Sequence, residues 1–451
     1  MKRGKKFLVM ILVLVILAGG LFAVQYLTQE EEQVEENKMF TVLEVQADTV
    51  DSLEWTFSGA TVKLVRSGEN WTYEEDPAFP LNQAYPVSML KALANVQAFR
   101  KLEEVEELSA YGFDEPTLRI VLEGDSDVEI LVGNASGTNS GYYMTMGDGE
   151  VYMIYGDMPG SFQVDLLTLV KRELVPEMTS ISQIRLNTSE ENAVIDYREN
   201  SGWAYSDSYV WFLSDGENHI ALDTERINAL VTDLQGMTLI RAVDYYADET
   251  DLLTFGFDEN MVSIGFDYLD AESKHNSFEL QIGKTVESMT YIKYGHSDVV
   301  YQVTSSSVSS LQSAKIKDLR PDELLLLDWT TVNGLDVTIG EESYSFQLET
   351  DSEGTTVFTM DGEEIDLSLM KNILTGIMAT NYAYDVEPSG DASVIFTFHR
   401  NTENFSQLEV AFYPCDDTSS IFAMDGENRL LVTNSDVEYL IKSVYRGFET
   451  E

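Results

Sequence analysis

The chain has 451 residues, 44% of them hydrophobic, enough apolar material for about three cores at ~150 residues each. Its 28 Lys and Arg stand against 78 Asp and Glu, a formal net charge of −50; such a surface repels phosphate backbones and excludes nucleic acid as a partner. The one cysteine, Cys415, excludes an intrachain disulfide, a Cys-rich zinc site and a CxxC redox pair, and is expected to be a buried thiol.

Lys2, Arg3, Lys5 and Lys6 precede an uncharged apolar run from Phe7 to Val24, and acids begin at Glu30. A run of that length suits a helix crossing ~30 Å of hydrocarbon, and the basic flank places its N-terminal end in the cytoplasm. Leu21-Phe22-Ala23 makes a poor signal-peptidase site, because Leu21 stands where a small residue is wanted. The expectation is a cytoplasmic basic tip and transmembrane anchor over 1–28, in contact with the membrane through residues 7–27. An acidic linker over 29–40 then leads to a large extracytoplasmic region at the cell membrane.

Beyond the linker the sequence repeats. Tyr111-Gly112-Phe113-Asp114-Glu115-Pro116 leads into Leu118-Arg119-Ile120-Val121-Leu122, and Phe255-Gly256-Phe257-Asp258-Glu259-Asn260 leads into Val262-Ser263-Ile264-Gly265-Phe266. Ile130 to Gly133 matches Leu280 to Gly283, and Trp71 is paired with Trp203. A third copy keeps the strands Ser393 to Phe398 and Gln407 to Phe412, but Val386 to Asp391 replaces the turn. Alternating segments such as Thr61 to Val65, Ala193 to Tyr197 and Tyr344 to Leu348 predict strands with one buried face. Ile227, Leu230, Val231 and Leu234, and likewise Met370, Ile373, Leu374 and Ile377, have helical spacing; Asp223 or Thr224 is the expected N-cap of the former helix. Pro86 suits the first turn of a third helix. The predicted class is α+β: repeat units over 41–177, 178–321 and a degenerate 322–451, each a mainly antiparallel sheet with a helix on one face.

The Trp71 strand, the Tyr111 to Pro116 turn, the strand ending at Gly133 and the Tyr142-Tyr143 strand together resemble a family of uncharacterised bacterial envelope proteins. These are membrane-anchored and built from a repeated domain of unknown function. Members are often encoded beside gliding-motility-type ABC transporter genes. The resemblance implies an accessory subunit whose partners are ABC transporter permease subunits, and supplies no catalytic residues.

Chemistry is sparse. His219, His275, His296 and His399 show no metal-ligand spacing and read as solvated. Gly283-Lys284-Thr285 lacks the earlier glycine of a phosphate loop and reads as a turn. Ser305 to Ser307, Ser309 and Ser310 lack a nucleophile elbow. Acidic segments at Asp148-Gly149, Asp361-Gly362 and Asp425-Gly426 read as hairpin turns. No catalytic, cofactor-binding or metal residue is predicted, and no cofactor. The expected function is a non-enzymatic, anchored partner-binding component of a transporter. The alternative is a cell-surface module capturing a small cationic or glycan ligand on exposed aromatics such as Tyr142, Tyr143 or Trp211.

Overall fold

Alternating apolar residues fold into strands throughout the computed structural model, which describes residues 39–449 apart from 104, 106, 138–140, 201, 216–217, 351–354 and 384–385. The chain forms two units, one ending at Glu173 and the next beginning at Leu174. The first unit holds one sheet. Its strands are β1 (Phe40–Leu43), β2 (Val50–Phe57), β3 (Ala60–Ser67), β4 (Asn70–Tyr73), β5 (Val96–Lys101), β6 (Leu118–Gly124), β7 (Val128–Ala135), β8 (Gly141–Thr145) and β9 (Tyr152–Tyr155). They lie in the order β1-β5-β9-β8-β7-β6-β2-β3-β4.

The second unit holds two sheets. One contains β10 (Ser180–Asn187), β11 (Asn192–Tyr197), β12 (Trp211–Asp215), β13 (Asn218–Leu222), β14 (Arg241–Asp244), β15 (Val262–Leu269), β16 (His275–Val286), β17 (Met289–Tyr294) and β18 (Val300–Thr304). The other contains β19 (Val332–Ile339), β20 (Glu342–Thr350), β21 (Thr356–Met360), β22 (Glu363–Ile365), β23 (Asn381–Tyr382), β24 (Val394–Arg400), β25 (Gln407–Pro414), β26 (Ser419–Met424) and β27 (Glu427–Thr433). Their orders are β13-β12-β11-β10-β15-β16-β17-β18-β14 and β22-β21-β20-β19-β24-β25-β26-β27-β23.

Superposing the three orders shows one eight-strand plan, with β4, β12 and β21 equivalent and β6, β15 and β24 equivalent. The principal helices are α1 (Ala84–Leu93), α2 (Thr224–Gly236), α3 (Glu249–Phe255), α4 (Ser368–Gly376) and α5 (Asn434–Arg446). In each sheet a helix, α1, α2 or α4, carries the chain from one edge strand across to the far side of the sheet, where the next strand is β5, β14 or β23. These helices bury Met89, Leu90 and Leu93, then Ile227 and Leu234, then Met370 and Leu374, the three- to seven-residue spacings that line one helical face. Asp223 caps α2 by accepting from the Arg226 N–H at 2.9 Å. Three tandem sheet-plus-helix units are thus the architecture.

Two sequence pairings change. Register runs Leu53–Leu64 and Leu64–Tyr73 in the first sheet, and Ile184–Ile195 and Ile195–Leu213 in the second. Two residues before Tyr73 and Leu213 stand Trp71 and Trp211, so the counterpart of Trp71 is Trp211, with Phe358 in the third sheet. All three are buried. Trp203 has no such counterpart, because β3 meets β4 across residues 68–69 whereas residues 198–210 separate β11 from β12. Gly283-Lys284-Thr285 lies within β16 and is not a turn.

The expected membrane anchor is also corrected. Spanning the hydrocarbon takes ~20 apolar residues. The longest described helices, α2 and α5, have 13 each, and no helix among the described residues is long and apolar enough to cross a membrane. Residues 7–27 lie outside the described residues. The single-pass topology is not supported, nor are the contact with the membrane and the extracytoplasmic location that rested on it.

Candidate functional site

The inserted loop of residues 198–210 builds the most distinctive site of the second unit. Asn200 (φ 51°) and Gly202 (φ 67°) are both left-handed, a conformation that glycine takes at no steric cost. A Cβ on Gly202 would sit 2.4 Å from Nδ2 of Asn404, so a larger residue there would have to displace that side-chain amide in the loop after β24. Beyond the turn, Tyr205 and Tyr209 enter the core of the third sheet together with Phe212, beside Leu324, Leu325 and Trp329. Burying each such side chain contributes roughly 1.5–3 kcal/mol. Leu326 donates its backbone N–H to the Tyr205 hydroxyl at 2.9 Å. The two tyrosines meet edge to face at 5.9 Å.

A second tie holds the segment that joins the two sheets. Arg226 on α2 donates to the carbonyls of Asp318 (3.0 Å) and Arg320 (2.9 Å), and its guanidinium also pairs with the Asp322 carboxylate. Asp223 donates its backbone N–H to the Leu319 carbonyl at 2.8 Å. Ala379 donates to the Asp322 carbonyl at 3.0 Å. The joining segment is therefore fixed from both sheets.

Between the loop, the joining segment and the β26–β27 hairpin lies a cavity of about 620 Å³. That is the size of a small-molecule site. Tyr209, Leu324, Phe422, Met424 and Leu430 line it and are all buried. Trp203 and His219 form a wall, stacked at 3.6 Å and 7°. Phe212 meets Trp203 edge to face at 5.4 Å, and the Arg198 guanidinium lies 5.5 Å from the Trp203 ring. The charged lining comprises Arg320, Glu323, Asp425 and Glu427.

Burial sets the electrostatics. It pushes the Tyr209 phenol far above its ordinary range, with Tyr205 adding to the effect, so Tyr209 stays protonated. Burial also lowers the Arg320 guanidinium, which lies 6.0 Å from the Tyr382 ring. It raises the Tyr382 phenol, helped by Asp322. The Nδ1 of His219 is buried and makes no hydrogen bond in the structure.

Sequence reasoning placed these residues differently. His219 was expected in solvent and stands half-buried against Trp203. Trp211, expected as an exposed platform, is buried against Tyr197 at 5.1 Å. Tyr142 and Tyr143 are half-buried on β8, and Tyr143 packs on Tyr111 at 5.0 Å. Cys415 is half-buried, where a buried thiol was expected. Among the described residues no group of three or more His, Cys, Asp or Glu could hold a metal ion. The one legible signal for the site was the length of the segment between β11 and β12, which carries Trp203, Tyr205 and Tyr209 close together.

Residues 71–260 and 211–393 each match the model of a domain of unknown function, DUF4340. The two matches begin at Trp71 and Trp211, the same two tryptophans that strand register makes equivalent. No curated protein matches the chain. The family match supports the repeated domain of unknown function. It lends nothing to the membrane anchor or to the ABC transporter partnership.

Proposed function

The chain belongs to the DUF4340 domain family, whose matches cover well over half of it, and from that premise we propose that it is a non-enzymatic binding protein that holds a small, partly aromatic organic molecule in the cavity of its second unit. The observation that carries this reading is the cavity itself: about 620 Å³, floored by buried carbon and walled by Trp203 and His219. Pockets of this size and lining gain affinity by removing apolar ligand surface from water, at about 25 cal/mol per Å². Tyr209 keeps its proton and serves as a wall, which suits binding better than proton transfer.

The test is thermal denaturation of the full chain against a panel of aromatic small molecules. A bound ligand raises the melting temperature by mass action, ~2.7 kcal/mol at a hundredfold excess over Kd. Ala221→Trp, which fills the cavity from β13, should remove the shift. A panel that leaves the melting temperature unchanged, or a shift that survives Ala221→Trp, rejects the proposal.

A further inference from the structure

The cavity carries both signs of charge on an apolar body, and that combination narrows its ligand. Arg320 brings a guanidinium whose burial already disfavours its charge. An anionic ligand group in the cavity would meet this guanidinium on its wall. Glu323 follows three residues later on the same joining segment and lines the same cavity. Asp425 and Glu427, at the tip of the β26–β27 hairpin, add two more carboxylates to the lining. The hairpin turn is held in place: Asp425 and Glu409 exchange backbone and side-chain hydrogen bonds at 2.9 Å. The joining segment is held by Arg226, as described above, so Arg320 and Glu323 stand on a fixed backbone. A purely anionic ligand would meet three carboxylates, and a purely cationic one would meet the guanidinium.

Resting on the ligand-binding reading above, we propose that the ligand is a small zwitterion with an apolar, ring-bearing body, of the class of short hydrophobic peptides. Its anionic end lies at Arg320, its cationic end at Glu323 and the hairpin carboxylates, and its ring against the aromatic wall. The cavity volume exceeds what one amino acid needs and suits two or three residues.

The experiment is isothermal titration calorimetry of the full chain with four probes: phenylalanyl-leucine, its N-acetyl derivative, its C-terminal amide, and indole. The proposal expects the free dipeptide to bind at least tenfold tighter than either blocked form and than indole. It also expects Glu323→Gln to shrink the penalty for N-acetylation and Arg320→Gln the penalty for amidation. A blocked dipeptide that binds as tightly as the free one overturns the zwitterion while leaving the cavity a binding site. So does indole binding as tightly as the dipeptide. No heat with any probe overturns both readings. The blocked-probe comparison uses the unaltered protein, so the proposal stays testable should either variant fail to fold.

Discussion

The β3–β4 and β11–β12 connections occupy the same place in two sheets of the same plan, yet they do opposite things. In the first sheet residues 68–69 make a tight hairpin, and Arg66 covers Trp71 at 4.6 Å. In the second, residues 198–210 intervene; Trp211 takes the buried place of Trp71 while Trp203 packs against Phe212 and His219. Arg198 repeats the cation–ring contact on Trp203 at 5.5 Å, with the five-residue spacing of Arg66 and Trp71. A conserved plan thus fixes where the connection starts and ends, and the length of the connection decides whether a cavity exists.

A second contrast lies between the turns. Gly112 and Gly256 have φ of 86° and 85° and press against the next strands. There a Cβ on Gly133 would stand 2.1 Å from the Tyr111 carbonyl oxygen, and one on Gly283 2.5 Å from that of Phe255. In the third sheet Pro388 takes the place of the turn glycine, and proline cannot reach a positive φ. The strand position equivalent to Gly133 and Gly283, one past the Val394–Phe412 pair, is Tyr413. The third sheet thus lacks both the positive-φ turn glycine and the strand glycine that the turn backbone approaches.

Four outcomes would sharpen or break these contrasts. Tyr209→Ala removes a buried ring that only the inserted loop supplies, and should destabilise the second unit by about 3–5 kcal/mol in a urea titration; an unchanged midpoint would mean the loop is not part of the core. Gly283→Tyr, which copies the third sheet into the second, should cost roughly 3 kcal/mol through the clash with Phe255. Its mirror, Tyr413→Gly, should cost only about 1 kcal/mol, read by hydrogen exchange of β25. Tyr205→Phe leaves the Leu326 N–H without its acceptor and should cost about 1–2 kcal/mol in thermal denaturation.

The smallest effect separates the second and third sheets by pH. At one ladder position Arg185 pairs with Asp267, and at its equivalent Asp336 pairs with His399 at 2.7 Å. His399, and then Ser345, hold the Asp336 carboxyl below the ordinary carboxylate range. Its stabilisation is present above that range and is lost as pH falls through the lowered value. Both partners are 44% exposed, so the effect stays within about 1 kcal/mol. Asp336→Asn should flatten the acid dependence of β19 and β24 amide exchange while β10 and β15 keep theirs; an unchanged profile would remove Asp336 from the account.

Much of the fold was legible because strand alternation and helical spacing are local. The strands at Thr61, Ala193 and Tyr344 and the cap at Asp223 all stand where pattern placed them. Strand order and the site were not legible, since both depend on contacts far apart in sequence. Trp203 looked equivalent to Trp71 because an aromatic pair, Trp-x-Tyr, recurs in both; only ladder register separates a repeated residue from an inserted one. His219 looked solvated because nothing near it in sequence announces the Trp203 ring that covers it.

The most direct measurement is crystallography of the protein soaked with a set of aromatic fragments. The account predicts fragments seated in the second unit's cavity, in contact with Trp203, Tyr209, Phe422 and Leu430. Fragments bound only elsewhere, with this cavity empty at saturating concentration, would contradict it.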